Sequence, residues 1–348
     1  MKAEFLDIVN LNKEYKDRFA VYGDLHNHGA TGGSSDGKRP LSHWKGALEA
    51  LGMDFAAILD HRQVRHMYLP EWDDSIFISG TEPGTEITDS GANVKFMHYN
   101  MLFENKAQLE ELLSEFPEYC FEGGAEARFV YPSFTKERFR ELIAAVKAKG
   151  GFFVYPHPKQ LMESDDPLDY WFADETGIEV FYGDFRNTST EENYALWCDL
   201  LSLGKRVLAC AGEDGHACAK DTALTTIYVE KKHCPSYLEY LRYGDFVCGG
   251  VGIKMCIGDT RMGGSCDFKN KRLVVYVGDL HRSVKNYEHR YEAVLLSDSG
   301  VVFTADVSLS QDNYFAVDCE DVRFYRLEVF DKTSGVRIAV GNPIWNDG

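Results

Sequence analysis

Residues 55–61 read Phe55-Ala56-Ala57-Ile58-Leu59-Asp60-His61, a short apolar run that stops on two side chains able to bind protons or cations. A run of that length, apolar throughout, suits a strand buried on both faces, as in a parallel sheet. The residues just before it, 41–51, carry apolar side chains at helical spacing. The same alternation recurs outward in both directions. Apolar runs at 76–79 (IFIS), 94–97 (VKFM), 152–155 (FFVY), 178–181 (IEVF) and 207–211 (VLACA) read as strands. Helical patterns lie at 107–116, at 135–149 and at 191–203. The second of these helices starts at the N-cap residue Thr135 and stops at Gly150-Gly151. Strands alternating with helices predict parallel βα units and an α/β fold up to about residue 245.

Beyond that point the pattern changes. RLVVYVGDL, YEAVLLS, VVFTADVSL and FYRLEVF read as strands, with turn signals at Ser297-Asp298-Ser299-Gly300 and Asp331-Lys332-Thr333-Ser334-Gly335,. A separate antiparallel β-sandwich over 246–348 is expected, following a first domain over 1–245. A chain of 348 residues accommodates this division,.

Composition narrows the function. With 44% hydrophobic and 26% charged residues the chain is globular rather than disordered,. Its formal net charge of -18 disfavours a nucleic-acid polymer, whose binding needs clustered Lys and Arg,. A small anionic substrate remains open, because bound cations reverse the local field. The first residues show no apolar run of signal-peptide length, and no stretch reaches the roughly 18 apolar residues of a membrane span. Nine cysteines at irregular spacing, without a CxxC pair, read as reduced and mostly buried,. These features point to the cytoplasm.

The chemistry lies at the strand ends. Asp24-Leu25-His26-Asn27-His28 follows an apolar start, and alternation along a strand puts His26 and His28 on one side. Asp60-His61 follows 55–59. Glu86 stands in Pro83-Gly84-Thr85-Glu86-Ile87, His98 follows 94–97, and His157 stands in Tyr155-Pro156-His157-Pro158. Asp214-Gly215-His216 comes just after 207–211. One such residue is an ordinary strand-end cap. Six in succession predict a shared site, because the carboxyl ends of parallel strands converge on one face. Imidazoles mixed with carboxylates suit Zn, Mn or Fe.

The segments DLHNH, ILDHR, GTEIT, MHYN, YPHP and GEDGH, in this order, resemble the PHP (polymerase and histidinol phosphatase) superfamily. The resemblance covers residues 20–220 and implies a distorted (β/α)7 barrel with three divalent metal ions. Carried onto this chain, it implies that His26, His28, Glu86 and Asp214 hold one ion. Glu86 then bridges to a second ion held by His98 and His157. His61 and His216 hold a third, joined by Asp36 of Ser35-Asp36-Gly37, although the loop before Asp36 is longer than the usual spacing. Residues 324–328, Ser334-Gly335, Ile338-Ala339 and Asn342-Pro343-Ile344-Trp345, with 179–197 and 204–207, resemble the CehA/McbA-type branch.

A multinuclear centre implies a hydrolase that acts through hydroxide generated at the metals, with His61, Asp214, His216 and Arg62 as the catalytic candidates. A phosphoesterase acting on a small phosphorylated substrate is the first expectation. A hydrolase of a carbon ester, amide or carbamate is the second, and a non-catalytic, metal-stabilised binding module the third. Arg62, Lys159, Lys38, Arg39 and Arg186 are candidate anion binders or plain solvated charges. Asp60 and Asp24 read either as groups that orient a neighbouring imidazole or as strand-end caps. No Ser-His-Asp order, Cys-His signature or phosphate-cradling Gly-rich loop stands out.

Overall fold

The chain begins with helix α1 (Phe5–Glu14), which buries Asp7 and Leu11 and leaves Phe5 and Leu6 exposed. The computed structural model describes residues 2–89, 97–119, 128–162, 172–184, 188–281 and 289–348. The fold is mixed α/β, with a large sheet and further antiparallel sheets. It divides into two compact units. One comprises Gly23–Leu224 and His233–Arg242; the other comprises Met1–Tyr22, Thr225–Lys232 and Tyr243–Gly348.

The unit Gly23–Leu224 carries the later part of β1 (Phe19–Asn27) and the strands β2 (Phe55–Ile58), β3 (Phe77–Thr81), β4 (Gly84–Ile87), β5 (Met97–His98), β6 (Asn100–Phe103), β7 (Ser133–Phe134), β8 (Phe152–Tyr155), β9 (Gly177–Tyr182) and β10 (Leu208–Gly212). Its helices are α2 (Leu41–Leu51), α3 (Lys106–Glu115), α4 (Lys136–Ala148), α5 (Pro158–Leu161) and α6 (Thr188–Ser202); α7 (Tyr237–Tyr243) follows later in the chain. The sheet runs β10-β9-β8-β6-β3-β2-β1. Apolar spacing explains the helices. Leu41, Trp44 and Leu48 lie on one face of α2 and pack with Met53, Ala56, Ile58, Phe77 and Leu224,. Gly52, left-handed at φ 71°, ends that helix,. Helix α4 is capped by the Thr135 hydroxyl, which accepts from the Arg138 N–H at 3.2 Å,.

The sequence reading expects only parallel strands, and here the structure differs. The pairs β1–β2, β2–β3, β8–β9 and β9–β10 are parallel. Strand β6, which the apolar runs did not reveal, is antiparallel to both β3 and β8. The physical reason is the connection. Between β3 and β6 the chain makes the short excursion β4–β5 instead of a helical crossover, so it returns in the opposite direction. Of the expected strand 94–97, residues 94–96 lie outside the described residues and Met97 begins β5. A parallel bridge joins Asn27, at the end of β1, to Gly215, just beyond β10.

The other unit holds β11 (Thr225–Val229), β12 (Phe246–Gly249), β13 (Val251–Ile257), β14 (Thr260–Arg261), β15 (Ser265–Cys266), β16 (Arg272–Leu280), β17 (Tyr291–Ser297), β18 (Gly300–Val307), β19 (Asn313–Asp318), β20 (Phe324–Asp331), β21 (Val336–Gly341) and β22 (Ile344–Asn346). Within the large sheet this unit contributes the antiparallel succession β11-β12-β21-β20-β17-β18, and β14-β13-β16-β19 makes a separate four-stranded sheet. This unit takes in the segment Tyr243–Gly348 together with residues from the chain's beginning. Helix α1 packs on β13 and β16, which draws the first residues into this unit. Among the described residues no helix is long and apolar enough to cross a membrane.

A charged network ties the separated segments of this unit together. Asp245, fully buried, accepts from the Tyr15 hydroxyl (3.2 Å), the Arg18 guanidinium (3.0 Å) and Arg261 Nε (2.7 Å). Removing the carboxylate takes Asp245 from Arg261 and leaves Arg18 with Glu230 and the Tyr228 carbonyl. Asp245→Ala is expected to destabilise this unit by about 3 kcal/mol. Urea unfolding followed by circular dichroism checks this, and an unchanged midpoint refutes it.

Candidate metal centre

Strand ends deliver the side chains. His26 lies on β1 with His28 just after it; His61 follows β2, Glu82 follows β3, His98 closes β5, His157 follows β8 and Asp214 follows β10. The β1 end and the segment after β10 are stitched by the His28 N–H to the Gly215 carbonyl (2.8 Å) and the Gly215 N–H to the His26 carbonyl (3.2 Å). The Asp36 loop is pinned in turn to His216: the Lys38 N–H donates to the His216 carbonyl at 2.6 Å. Gly37 permits this, because a Cβ there would lie 2.4 Å from the His28 carbonyl oxygen. Arg62, His157 and Asp214 all have left-handed backbones, at φ 52°, 31° and 51°. Side chains other than glycine adopt that region at a cost, which the surrounding contacts must offset.

The result is three interlocking sets of metal-ligating side chains. His28, Asp36, His61 and His216 form one; His26, His28, Glu82 and Asp214 form another; Glu82, His98 and His157 form the third. Glu82 is the hub. Its Oε2 lies 3.3 Å from His26 Nε2, 3.2 Å from His28 Nε2 and 3.2 Å from His61 Nδ1. Its Oε1 lies 3.0 Å from His98 Nδ1 and 3.2 Å from His157 Nε2. Asp214 Oδ1 is 3.0 Å from His28 Nε2, and Asp36 Oδ1 is 3.1 Å from His216 Nε2.

The structure thus brings together His26, His28, Asp36, His61, His98, His157, Asp214 and His216. One expected member is corrected. Glu86 sits on β4 with its side chain exposed and accepts from the Ser133 hydroxyl at 3.3 Å, and Glu82 occupies the central place. The chain reads Gly80-Thr81-Glu82-Pro83-Gly84-Thr85-Glu86, two copies of Gly-Thr-Glu. Strand β3 runs on to Thr81, so the first copy is the one at a sheet strand's carboxyl end. The strand-end rule used for the other positions, applied to the first copy, would have found Glu82.

Other groups hold the ligands in place. Glu179, buried on β9, accepts from His26 Nδ1 at 2.7 Å and from the His157 backbone N–H at 2.9 Å. The Tyr182 hydroxyl donates to Asp214 Oδ2 at 3.1 Å, which leaves Oδ1 toward the imidazoles. Neither role shows in the sequence, because both residues sit inside an apolar strand. Asp24 holds backbone groups, and Asp60 holds one backbone group and neighbouring side chains. Asp24 accepts from the N–H groups of His26 (3.0 Å) and Glu213 (3.1 Å). Asp60 accepts from the Gly29 N–H (2.7 Å) and the Thr31 hydroxyl. Arg62 is buried and donates to the Glu118 carbonyl (3.0 Å), and the Tyr131 hydroxyl lies 3.4 Å from His98 Nε2. The backbone N–H of Lys159 donates to Asn193, and Arg39 Nε to the Ala217 carbonyl. Arg186 lies outside the described residues.

Electrostatics follow from this crowding. Burial alone would raise the Glu82 carboxyl, but the charges of His26, His98 and His61 hold it well below the usual carboxylate range,. Burial would lower His28, yet its hydrogen bonds to Asp214 and Glu82 push it up to about 10. Asp36 is held low against its burial by hydrogen bonds from His216 and His61. His28 Nδ1 is buried and makes no hydrogen bond among the described residues, and Glu82 Oε2 faces three imidazole nitrogens. Buried polar atoms without a partner, facing a mixed imidazole–carboxylate shell, fit divalent cations. Where protons now balance the carboxylates, cations can replace them.

No family model matches the chain, and no curated protein matches it. Among solved structures, it is similar to an amidohydrolase from Chromobacterium violaceum solved with bound sulfate and no metal. The two share 13% identity at a TM-score of 0.37, covering 57% of this chain and 89% of the other. A likeness this distant carries no argument about fold or activity.

Two outcomes test the geometry. Glu82→Gln is expected to lose most bound divalent metal and Glu86→Gln to retain it, as counted by elemental analysis of the purified proteins. Metal uptake by metal-free protein at pH 8 is expected to release protons, since His28 is held near pH 10,. Affinity should therefore rise with pH between about 6.5 and 10, by about tenfold per unit for each proton displaced. Calorimetric titration in buffers of different ionisation enthalpy measures the release, and affinity flat across that range would contradict it.

Proposed function

We propose that this chain is a metal-dependent hydrolase of the PHP type that cleaves small phosphoesters. The observation that supports this most is the sharing of Glu82 between two ligand sets, since a bridging carboxylate suits cations close enough to act on one substrate,. The parallel bridge between Asn27 and Gly215 supports reading β1, β2, β3, β6, β8, β9 and β10 as the strands of a distorted (β/α)7 barrel. The sheets built from β11–β22 are compatible with a sandwich and with the CehA/McbA-type branch.

His26, His28, Glu82 and Asp214 would hold one cation, Glu82, His98 and His157 a second, and His28, Asp36, His61 and His216 a third. Zn, Mn or Fe bound there would supply Lewis acidity and acidify water near neutral pH. The chain's own groups do the rest. Glu179 and Tyr182 fix His26 and Asp214. The Tyr131 phenol beside His98 is placed to donate a hydrogen bond to a substrate oxygen. Arg62, within electrostatic reach of Tyr131, adds positive charge to the wall of the site and suits an anionic substrate,. A second reading, hydrolysis of a carbon ester or amide, draws on the same phenol. Tyr131 is a neutral donor, which serves a carbonyl oxygen as readily as a phosphoryl oxygen.

Aryl phosphates, aryl phosphodiesters and aryl esters, offered to protein loaded with Mn or Zn, separate the two readings. Phosphoester turnover is expected. His61→Ala should lower kcat/KM by about 100-fold or more, the equivalent of several kcal/mol of lost charge stabilisation. Turnover of carbon esters alone would favour the second reading. No turnover of any substrate by fully loaded protein would remove both.

A further inference from the structure

Glu179 connects ligand sets that are otherwise joined only through Glu82. It lies on β9 with no solvent exposure. One oxygen, Oε1, accepts the His26 Nδ1–H at 2.7 Å and lies 3.3 Å from the Asn100 amide nitrogen. The other, Oε2, accepts the backbone N–H of His157 at 2.9 Å. An ionised carboxylate only accepts, so the Glu179 contact places a proton on His26 Nδ1. That turns Nε2 toward Glu82 (3.3 Å) and Asp214 (3.4 Å),. His157 depends on the same group in another way. Its backbone is left-handed at φ 31°, and the bond to Oε2 is one of the contacts that hold it there,. The adjacent strand β10 makes room for the carboxylate: a Cβ on Gly212 would lie 2.4 Å from Oε1.

We infer that Glu179 is a positioning residue that couples two cation positions. The position built on His26 and the position built on His157 load as one unit, while the position built on His28, Asp36, His61 and His216 has no ligand bonded to Glu179 and shares only His28 with the first. The inference rests on the metal-centre reading above. The coupling is mechanical. Both bonds use one rigid, planar carboxylate, so a rotation that breaks one breaks the other. A glutamine in its place keeps one acceptor and presents an NH2 group to the second donor, so it cannot satisfy both His26 and His157.

Cobalt(II) titration of the metal-free protein, followed by visible absorption and calorimetry, tests this in wild type, Glu179→Gln and Glu179→Asp. In Glu179→Gln two positions should weaken together by about 10–100-fold while the third, which Glu179 does not touch, changes least. Wild-type loading in Glu179→Gln, or weakening of one position alone, would overturn the coupling and leave the metal centre standing. A wild type that takes up no cobalt would overturn the metal centre, and the coupling with it. If both variants fail to fold by circular dichroism, zinc-loaded wild type labelled with 15N-histidine decides the matter. His26 should carry a slowly exchanging proton on Nδ1, and a proton on Nε2 instead would overturn the inference.

Discussion

Glu82 is a carboxylate with almost no solvent exposure, surrounded by His26, His28, His61, His98 and His157. Such an arrangement has no place in an apolar core. Each charge taken out of water costs several kcal/mol unless opposite charge compensates it, and imidazoles compensate only when protonated. The pocket therefore has a standing requirement for positive charge at its centre. Protons meet it in part: the neighbouring carboxylates raise His26, His28 and His157, while burial holds His98 down. Divalent cations meet it well. Much of the surrounding architecture can be understood as what is needed to hold these groups together against their own desolvation.

The sheet provides the first part of that support. Strands give up their direction at the carboxyl end, and the residues there are free to turn inward. Three of the turning residues, Arg62, His157 and Asp214, do so in left-handed backbone that only strong local contacts can maintain,. Those contacts are visible: Glu179 on the His157 N–H, Tyr182 on Asp214, and Asp24 on the N–H groups of His26 and Glu213. Strain and buried charge thus occur at the same residues, which is where binding chemistry tends to concentrate.

Much of this was legible in the sequence, for a definite reason. A ligand at a strand end leaves a mark, an apolar run broken by His, Asp or Glu, and that mark located His26, His28, His61, His98, His157, Asp214 and His216. Asp36 carried no such mark, since it rides on a loop; the resemblance supplied it. Glu82 was missed because two Gly-Thr-Glu copies compete, and only the true end of β3 separates them. Glu179 and Tyr182 were invisible because a polar residue within a buried strand looks the same whether it supports a ligand or satisfies backbone. The antiparallel β6 was hidden too. Strand direction is set by the connection, and β4–β5 has no strong period of its own.

The discontinuous unit has a consequence for how the chain is made. Its first segment, Met1–Tyr22, leaves the ribosome long before Tyr243–Gly348, against which α1 packs. During synthesis the stretch from Gly23 onward can collapse on its own, while the leading helix, with Phe5 and Leu6 on its surface, waits for its companions. Vectorial folding of this protein would then proceed from the middle outward, with α1 packing onto β13 and β16 only after they emerge,.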